Sequence, residues 1–186
     1  MTTAIVHFHA LPRKNNCARE HILFIYSKYI NENGELSIYK LDDEFYCFNA
    51  IYLTKALIVN TNLNTEHPTY FLPEGRFADT LDEIQPVISE QEYLTYWHRS
   101  VAPYLHDWRQ LQAKYTLGQK FQTKIVCFYP QGVIVKFGAN FYGLADYDAC
   151  VAILGSTKMY PHASIGLYIE KFDDDNLWII FSPQKP

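Results

Sequence analysis

His7-Phe-His9 sets two imidazoles two positions apart, which puts both on one face of a strand and suits a pair of metal ligands. No spacing supplies a third ligand, although His21 is available, so surface or hydrogen-bonded histidines are the simpler reading. His67-Pro-Thr69 could aim an imidazole and a hydroxyl at a phosphoester, yet no second copy exists, since His7-Phe-His9 lacks the hydroxyl. His98 and His106 share a helical face with Asp107 beside the second, provided Pro103 does not break the helix; the polar edge of a packed helix explains them better. Asp173-Asp-Asp-Asn176 has ligands for a cation, but a tight turn between strands accounts for the same residues, because Asp and Asn tolerate turn dihedrals. No P-loop, dinucleotide fingerprint, nucleophile elbow or deaminase signature occurs. These patterns predict a non-catalytic protein with no cofactor and no metal.

Cys17, Cys47, Cys127 and Cys150 are scattered without a CxxC pair, the pattern of reduced core thiols. Met1 to Ala4 has no basic run ahead of an apolar stretch, and the run from Ala50 to Val59 is interrupted by Thr54 and Lys55 and too short to span a bilayer. A cytoplasmic location and no membrane contact are therefore expected. A hydrophobic fraction of 48% in 186 residues is enough for a real core. The net charge of −4 excludes a protein whose grip on nucleic acid is bulk positive charge. That acidity is local. Residues 1–117 carry ten Lys plus Arg against fourteen Asp plus Glu, whereas residues 118–186 carry six of each.

The elements that must position these residues divide at the same place. Residues 1–117 read as a mixed α+β region. Ala4 to His9 is a short extended run, and Arg19 to Ile30 fits strand or helix by composition and length. Asn33-Gly34, inside Asn31–Glu35, is a hairpin signal joining Ile22–Tyr29 to Leu36–Leu41. Glu44 to Phe48 adds a strand, and Thr61 to Gly75 is loop-like. Ser89-Glu-Gln-Glu92 has the form of a capping box, with an acid placed to reciprocate the serine. Tyr93, Trp97, Val101, Tyr104, Trp108 and Leu111 then recur as one face of a long amphipathic helix, with a kink or restart at Pro103. From Gly118 the pattern is all β: Phe121–Tyr129, a turn or bulge at Pro130-Gln-Gly132, Val133–Phe137, Gly143-Leu144, Ser164–Lys171 and Leu177–Phe181. Five short strands in this span predict a small barrel.

Gly118, Lys124–Phe128, Gly132-Val-Ile-Val135, Gly143-Leu144, Ile169–Asp174 and Trp178-Ile-Ile-Phe-Ser182 stand in one order. In that order the segment 118–182 resembles the S1-type RNA-binding domain, an oligonucleotide-binding (OB) barrel. The resemblance covers none of the first region and implies that residues 118–186 form a five-stranded S1-like OB barrel; with the mixed reading of residues 1–117, the fold class expected is α+β. It also implies a binding face for single-stranded RNA at Gln131, Ile134, Asp146, Asp174 and Trp178. Of these only Asp174 keeps the residue type usual in the family. Trp178, Tyr129, Phe141 and Tyr142 are the aromatics that could replace missing stacking platforms, with Lys124 and Lys136 for phosphates.

Two functions follow. In the first, the barrel holds single-stranded RNA and the first region covers or extends its groove. In the second, the barrel is a scaffold and the acidic, aromatic-rich first region binds a basic protein, as an immunity protein or antitoxin does when it caps a nuclease. An open groove lined by Lys124, Lys136 and Trp178 favours the first; a first region packed over that groove favours the second.

Overall fold

In the computed structural model, which describes residues 24–55, 57–63, 72, 77, 87–129 and 131–184, the first element among the described residues is a hairpin. Strand β1 (Ile25–Ile30) pairs antiparallel with β2 (Leu36–Leu41). Asn31 organises the connection: its Oδ1 accepts from the amides of Asn33 and Glu35, and its Nδ2 donates to Glu35. Gly34 takes φ +76°, which is why the pair signals a turn. Strands β3 (Cys47–Leu53) and β4 (Ile58–Asn60) complete a four-stranded antiparallel sheet in sequence order. The predicted strand at Glu44–Phe48 is thus displaced towards the C-terminus. Asp42 Oδ1 accepts from the amides of Glu44 and Tyr46 and holds those residues in the turn.

Helix α1 (Glu90–Val101) starts at Ser89, whose hydroxyl accepts from the Glu92 amide at 3.1 Å. The reciprocal half of the expected capping box is not made with the serine: Glu92 carboxylate instead accepts from Lys28 at 2.9 Å and ties the helix to β1. A capping acid that also meets a cation on a neighbouring strand gains a charge-assisted bond. Pro103 lies in a single 3₁₀ turn, Ala102–Tyr104, which re-aims the chain into α2 (Leu105–Lys114). One face of the sheet, through Tyr26, Ile38 and Ile51, shares a core with Tyr93 and Trp97 of α1. The opposite face, through Tyr39, Leu41, Cys47 and Ala50, packs with Leu72, Phe77 and Tyr129.

The C-terminal part is a closed barrel of β5 (Lys120–Tyr129), β6 (Gly132–Phe137), β7 (Phe141–Ala145), β8 (Ser164–Asp173) and β9 (Trp178–Ser182). The strand order is β5-β6-β7-β9-β8, with β7 and β9 parallel and the other pairs antiparallel. Helix α3 (Tyr147–Leu154), which the sequence reading does not assign, lies between β7 and β8. This mixed five-stranded closure is compatible with an OB-like fold. Two glycines permit it. A Cβ on Gly132 (φ +144°) would run into the Ala145 carbonyl, and one on Gly143 would run into the Phe181 ring. The interior is filled by Ile125, Val133, Val135, Phe137, Ile165, Leu167, Ile169, Ile179 and Phe181, each almost fully excluded from solvent. Helix α2 seals one end. Trp108 packs on Phe141 and Phe172 at centroid distances of 5.3 and 6.0 Å, and Tyr115, just beyond the helix, packs on Phe121 and Phe137.

Ala4–His9, His7, His9, His21, Cys17, Pro130 and the His67-Pro-Thr69 motif lie outside the described residues. No helix among the described residues is long and apolar enough to cross a membrane.

Candidate functional site

Strand alternation sends Ile134, Tyr142 and Trp178 out of the barrel, onto the surface where the resemblance places nucleic acid. All three are nonetheless buried, at 0%, 2% and 3% exposure. They form a cluster with Val126, Cys127, Tyr129, Leu144 and Ile180. The first region comes up to this surface. Trp178 Nε1 donates to the Asn62 carbonyl at 3.0 Å, Asn62 Nδ2 donates to the Asn176 carbonyl at 3.2 Å, and Gln131 Nε2 donates to the Phe48 carbonyl at 3.0 Å.

Of the other expected site residues, Lys136 and Tyr129 stay at this surface and the rest disperse. Lys136 Nζ donates to the Tyr142 hydroxyl at 3.2 Å and sits 4.7 Å above its ring, so its charge is directed at a neighbour on the barrel. Burial pushes the Tyr129 hydroxyl well above its ordinary range. Phe141 points into the barrel interior against Trp108. Asp146 is the N-cap of α3, accepting from the Ala149 amide at 2.8 Å. Asp174 Oδ1 accepts from Trp108 Nε1 and Gln112 Nε2, both at 2.7 Å, and so joins the β8–β9 turn to α2. Lys124 is exposed on β5. The structure therefore gathers Tyr129, Ile134, Tyr142, Trp178 and Lys136, and leaves Lys124, Phe141, Asp146 and Asp174 elsewhere.

Behind Asn62 runs a buried polar network, of which Thr61 and Asn62 fall in the stretch expected to be loop-like. Asn49 Nδ2 faces Asn60 Oδ1 at 2.8 Å, Asn62 Oδ1 at 3.1 Å and Thr61 Oγ1 at 3.3 Å, while Asn49 Oδ1 accepts from the Tyr93 hydroxyl at 3.1 Å. Asn60 Nδ2 donates to Ser100 Oγ at 2.8 Å, which in turn donates to the Trp97 carbonyl. Sheet, α1 and barrel are thus joined by directional bonds at one junction. The run Asn60-Thr-Asn62 directly after an apolar strand was the available signal: buried amides need partners.

Beside that junction lies a cleft of about 710 Å³ between β1, β2, α1 and the β8–β9 turn. Its apolar lining includes Tyr93, Leu94, Trp97, Val101, Leu105 and Leu177, and its polar groups include Tyr26, Lys40, Glu90, His98, Asp174 and Asp175. Tyr26 donates to Glu90 at 3.1 Å, and burial together with that bond pushes the phenol up to about 12. Lys40 Nζ lies 4.0 Å from the Phe24 ring centroid. Burial lowers the pKa of this lysine, while Glu90, Asp173 and Asp175 act in the opposite sense. These residues come from segments up to 151 positions apart, Tyr26 to Leu177, so no local spacing advertises them.

Among the described residues, no group of three or more His, Cys, Asp or Glu is placed to hold a metal ion. Cys47, Cys127 and Cys150 are free thiols, and burial raises all three, Cys127 and Cys150 to about 12. A thiol held protonated is a poor nucleophile. Comparison with protein-family models, curated proteins and solved structures found no match to this chain.

Proposed function

We propose that this chain is a non-catalytic protein-binding module for a basic partner, in which residues 118–186 form an S1-like OB barrel serving as scaffold and residues 1–117 form the part that covers it. The observation that carries this reading is the burial of Trp178 and Tyr142 against protein, with the indole N–H already given to Asn62. Nucleic acid stacks on exposed aromatic faces and pairs its phosphates with uncommitted cations. Two of the aromatics best placed for that role are buried, and Lys136 lies against Tyr142. The overall charge of −4 and the exposed carboxylates Glu90, Asp174 and Asp175 favour a positively charged partner, because complementary potentials speed encounter and exclude wrong partners. A basic nuclease of the kind that immunity proteins and antitoxins cap has suitable chemistry.

Fluorescence anisotropy on the full chain tests this, using a labelled arginine- and lysine-rich peptide beside labelled single-stranded RNA and DNA at two salt concentrations. The expected result is salt-sensitive peptide binding and little binding of either oligonucleotide. Micromolar or tighter RNA binding that Trp178→Ala abolishes would overturn the reading and return the site to the barrel.

A further inference from the structure

The cleft between α1 and the β8–β9 turn combines two kinds of surface that usually lie apart. Its floor is aromatic and aliphatic, and its rim carries Glu90 from α1 with Asp174 and Asp175 from the turn. Against these three carboxylates the lining holds one lysine, Lys40, and one histidine, His98. We infer that this cleft seats a basic peptide segment of the partner, with an arginine or lysine side chain entering between α1 and the β8–β9 turn. The inference rests on the protein-partner reading above and names the place and the chemistry of contact.

Several features lead to this occupant. The volume, about 710 Å³, lies in the range of ligand pockets and exceeds the needs of one side chain, so a few residues of peptide fit. The floor suits a long basic side chain, whose methylene stem packs on apolar surface while its head remains near charge. Aromatic ring faces add attraction for a cation. A cation of the chain's own already lies here: Lys40 rests over the Phe24 ring, and although burial lowers its pKa on balance, Glu90, Asp173 and Asp175 act to keep its charged form. The carboxylates also keep capacity. Both bonds to Asp174 fall on Oδ1, and the one hydrogen bond of Asp175 among the described residues uses its backbone amide.

Lys40 makes the sign of the ligand testable. Removing it deepens the negative potential, so a cationic occupant binds more tightly and an anionic one more weakly. The experiment uses the full chain and the labelled arginine- and lysine-rich peptide, comparing wild type with Asp175→Lys, Glu90→Gln, Lys40→Met and a control, Asp43→Lys, on the exposed turn after β2. Asp175→Lys is expected to weaken binding about tenfold, since it removes a charge-assisted contact and adds a repulsion. Glu90→Gln keeps a hydrogen-bond acceptor for Tyr26 and is expected to weaken binding about threefold, whereas Lys40→Met strengthens it by a similar factor. Asp43→Lys should change affinity by less than about twofold, as an exposed charge outside the contact does. Equal losses from Asp43→Lys and Asp175→Lys would mean diffuse attraction and would overturn the cleft while leaving the partner reading intact. Weaker binding by Lys40→Met would overturn it in favour of an anionic occupant. No peptide binding by wild type would remove the partner reading itself, and the cleft assignment with it.

Discussion

Asn49 is the residue on which the junction of sheet and helix turns, because its one amide meets Asn60, Thr61, Asn62 and Tyr93. Asn49→Ala strands several buried polar atoms at once. It should cost about 2–4 kcal/mol, since each unsatisfied buried group costs about 1–3 kcal/mol and neighbours relax in part. Urea denaturation read by tryptophan fluorescence measures this; a loss below about 0.5 kcal/mol, the level of an ordinary surface change, would show that the network is not a stabilising unit. The buried ionisable groups make a second residue-level prediction. Tyr26 titrates near 12 against an ordinary 10.0, and Cys127 and Cys150 near 12 against 9.0, all chiefly through burial. The unfolded chain therefore releases these protons at lower pH than the folded one. Their stabilising contribution is whole below about pH 9 and is lost as pH rises towards 12. Denaturation midpoints measured across that interval should fall steadily; a flat profile would contradict the burial of these groups. Asp174 was legible as a residue of interest and Asn49 was not, because an acidic run attracts notice while a single amide inside an apolar strand does not.

Among the elements, the hairpin at Asn31–Glu35, the start of α1 at Ser89 and the barrel strands could be read in advance. Each is dictated by local chemistry: a glycine at positive φ, a hydroxyl for an orphan amide, and alternation against a core. Gly132 and Gly143 belong to the same class, since both stand where a methyl group meets a neighbouring strand. Gly143→Ala should destabilise the barrel by about 3 kcal/mol, the upper range for overpacking a tight core. A thermal melt of the variant checks it, and an unchanged midpoint would mean that Phe181 moves aside freely. Helix α3 escaped notice for an equally physical reason. Tyr147–Leu154 carries almost no polar face, so its periodicity is hidden, and its cap Asp146 drew attention as a ligand-face position instead. The displaced third strand has a similar origin, because Asp42 binds the turn amides that would otherwise have joined the sheet.

At the scale of the whole molecule, the two regions that composition separates share one apolar core. Trp97, Trp108, Leu111, Phe141 and Phe181 belong to the same cluster. Unfolding should accordingly be a single cooperative transition, with tryptophan fluorescence and far-ultraviolet circular dichroism giving coincident curves. Three tryptophans report from α1, α2 and β9, so two separated transitions would reveal independent folding of the regions. The covering of the barrel face was the least legible feature of all. Hydrogen bonds between residues more than eighty positions apart leave no period in the sequence, and an outward-facing tryptophan reads the same whether it meets a base or a backbone carbonyl.

The bond from Trp178 to the Asn62 carbonyl spans 116 positions in the chain. At about 5–20 residues per second, a ribosome takes roughly 6–23 seconds between adding one partner and adding the other. Throughout that interval Asn62 and the polar groups around it are served by water, and the surface awaiting the barrel stays uncovered. The newborn protein therefore passes through a period in which the junction of sheet, helix and barrel is open. Synthesis speed, a quantity that leaves no trace in the finished fold, sets how long that period lasts.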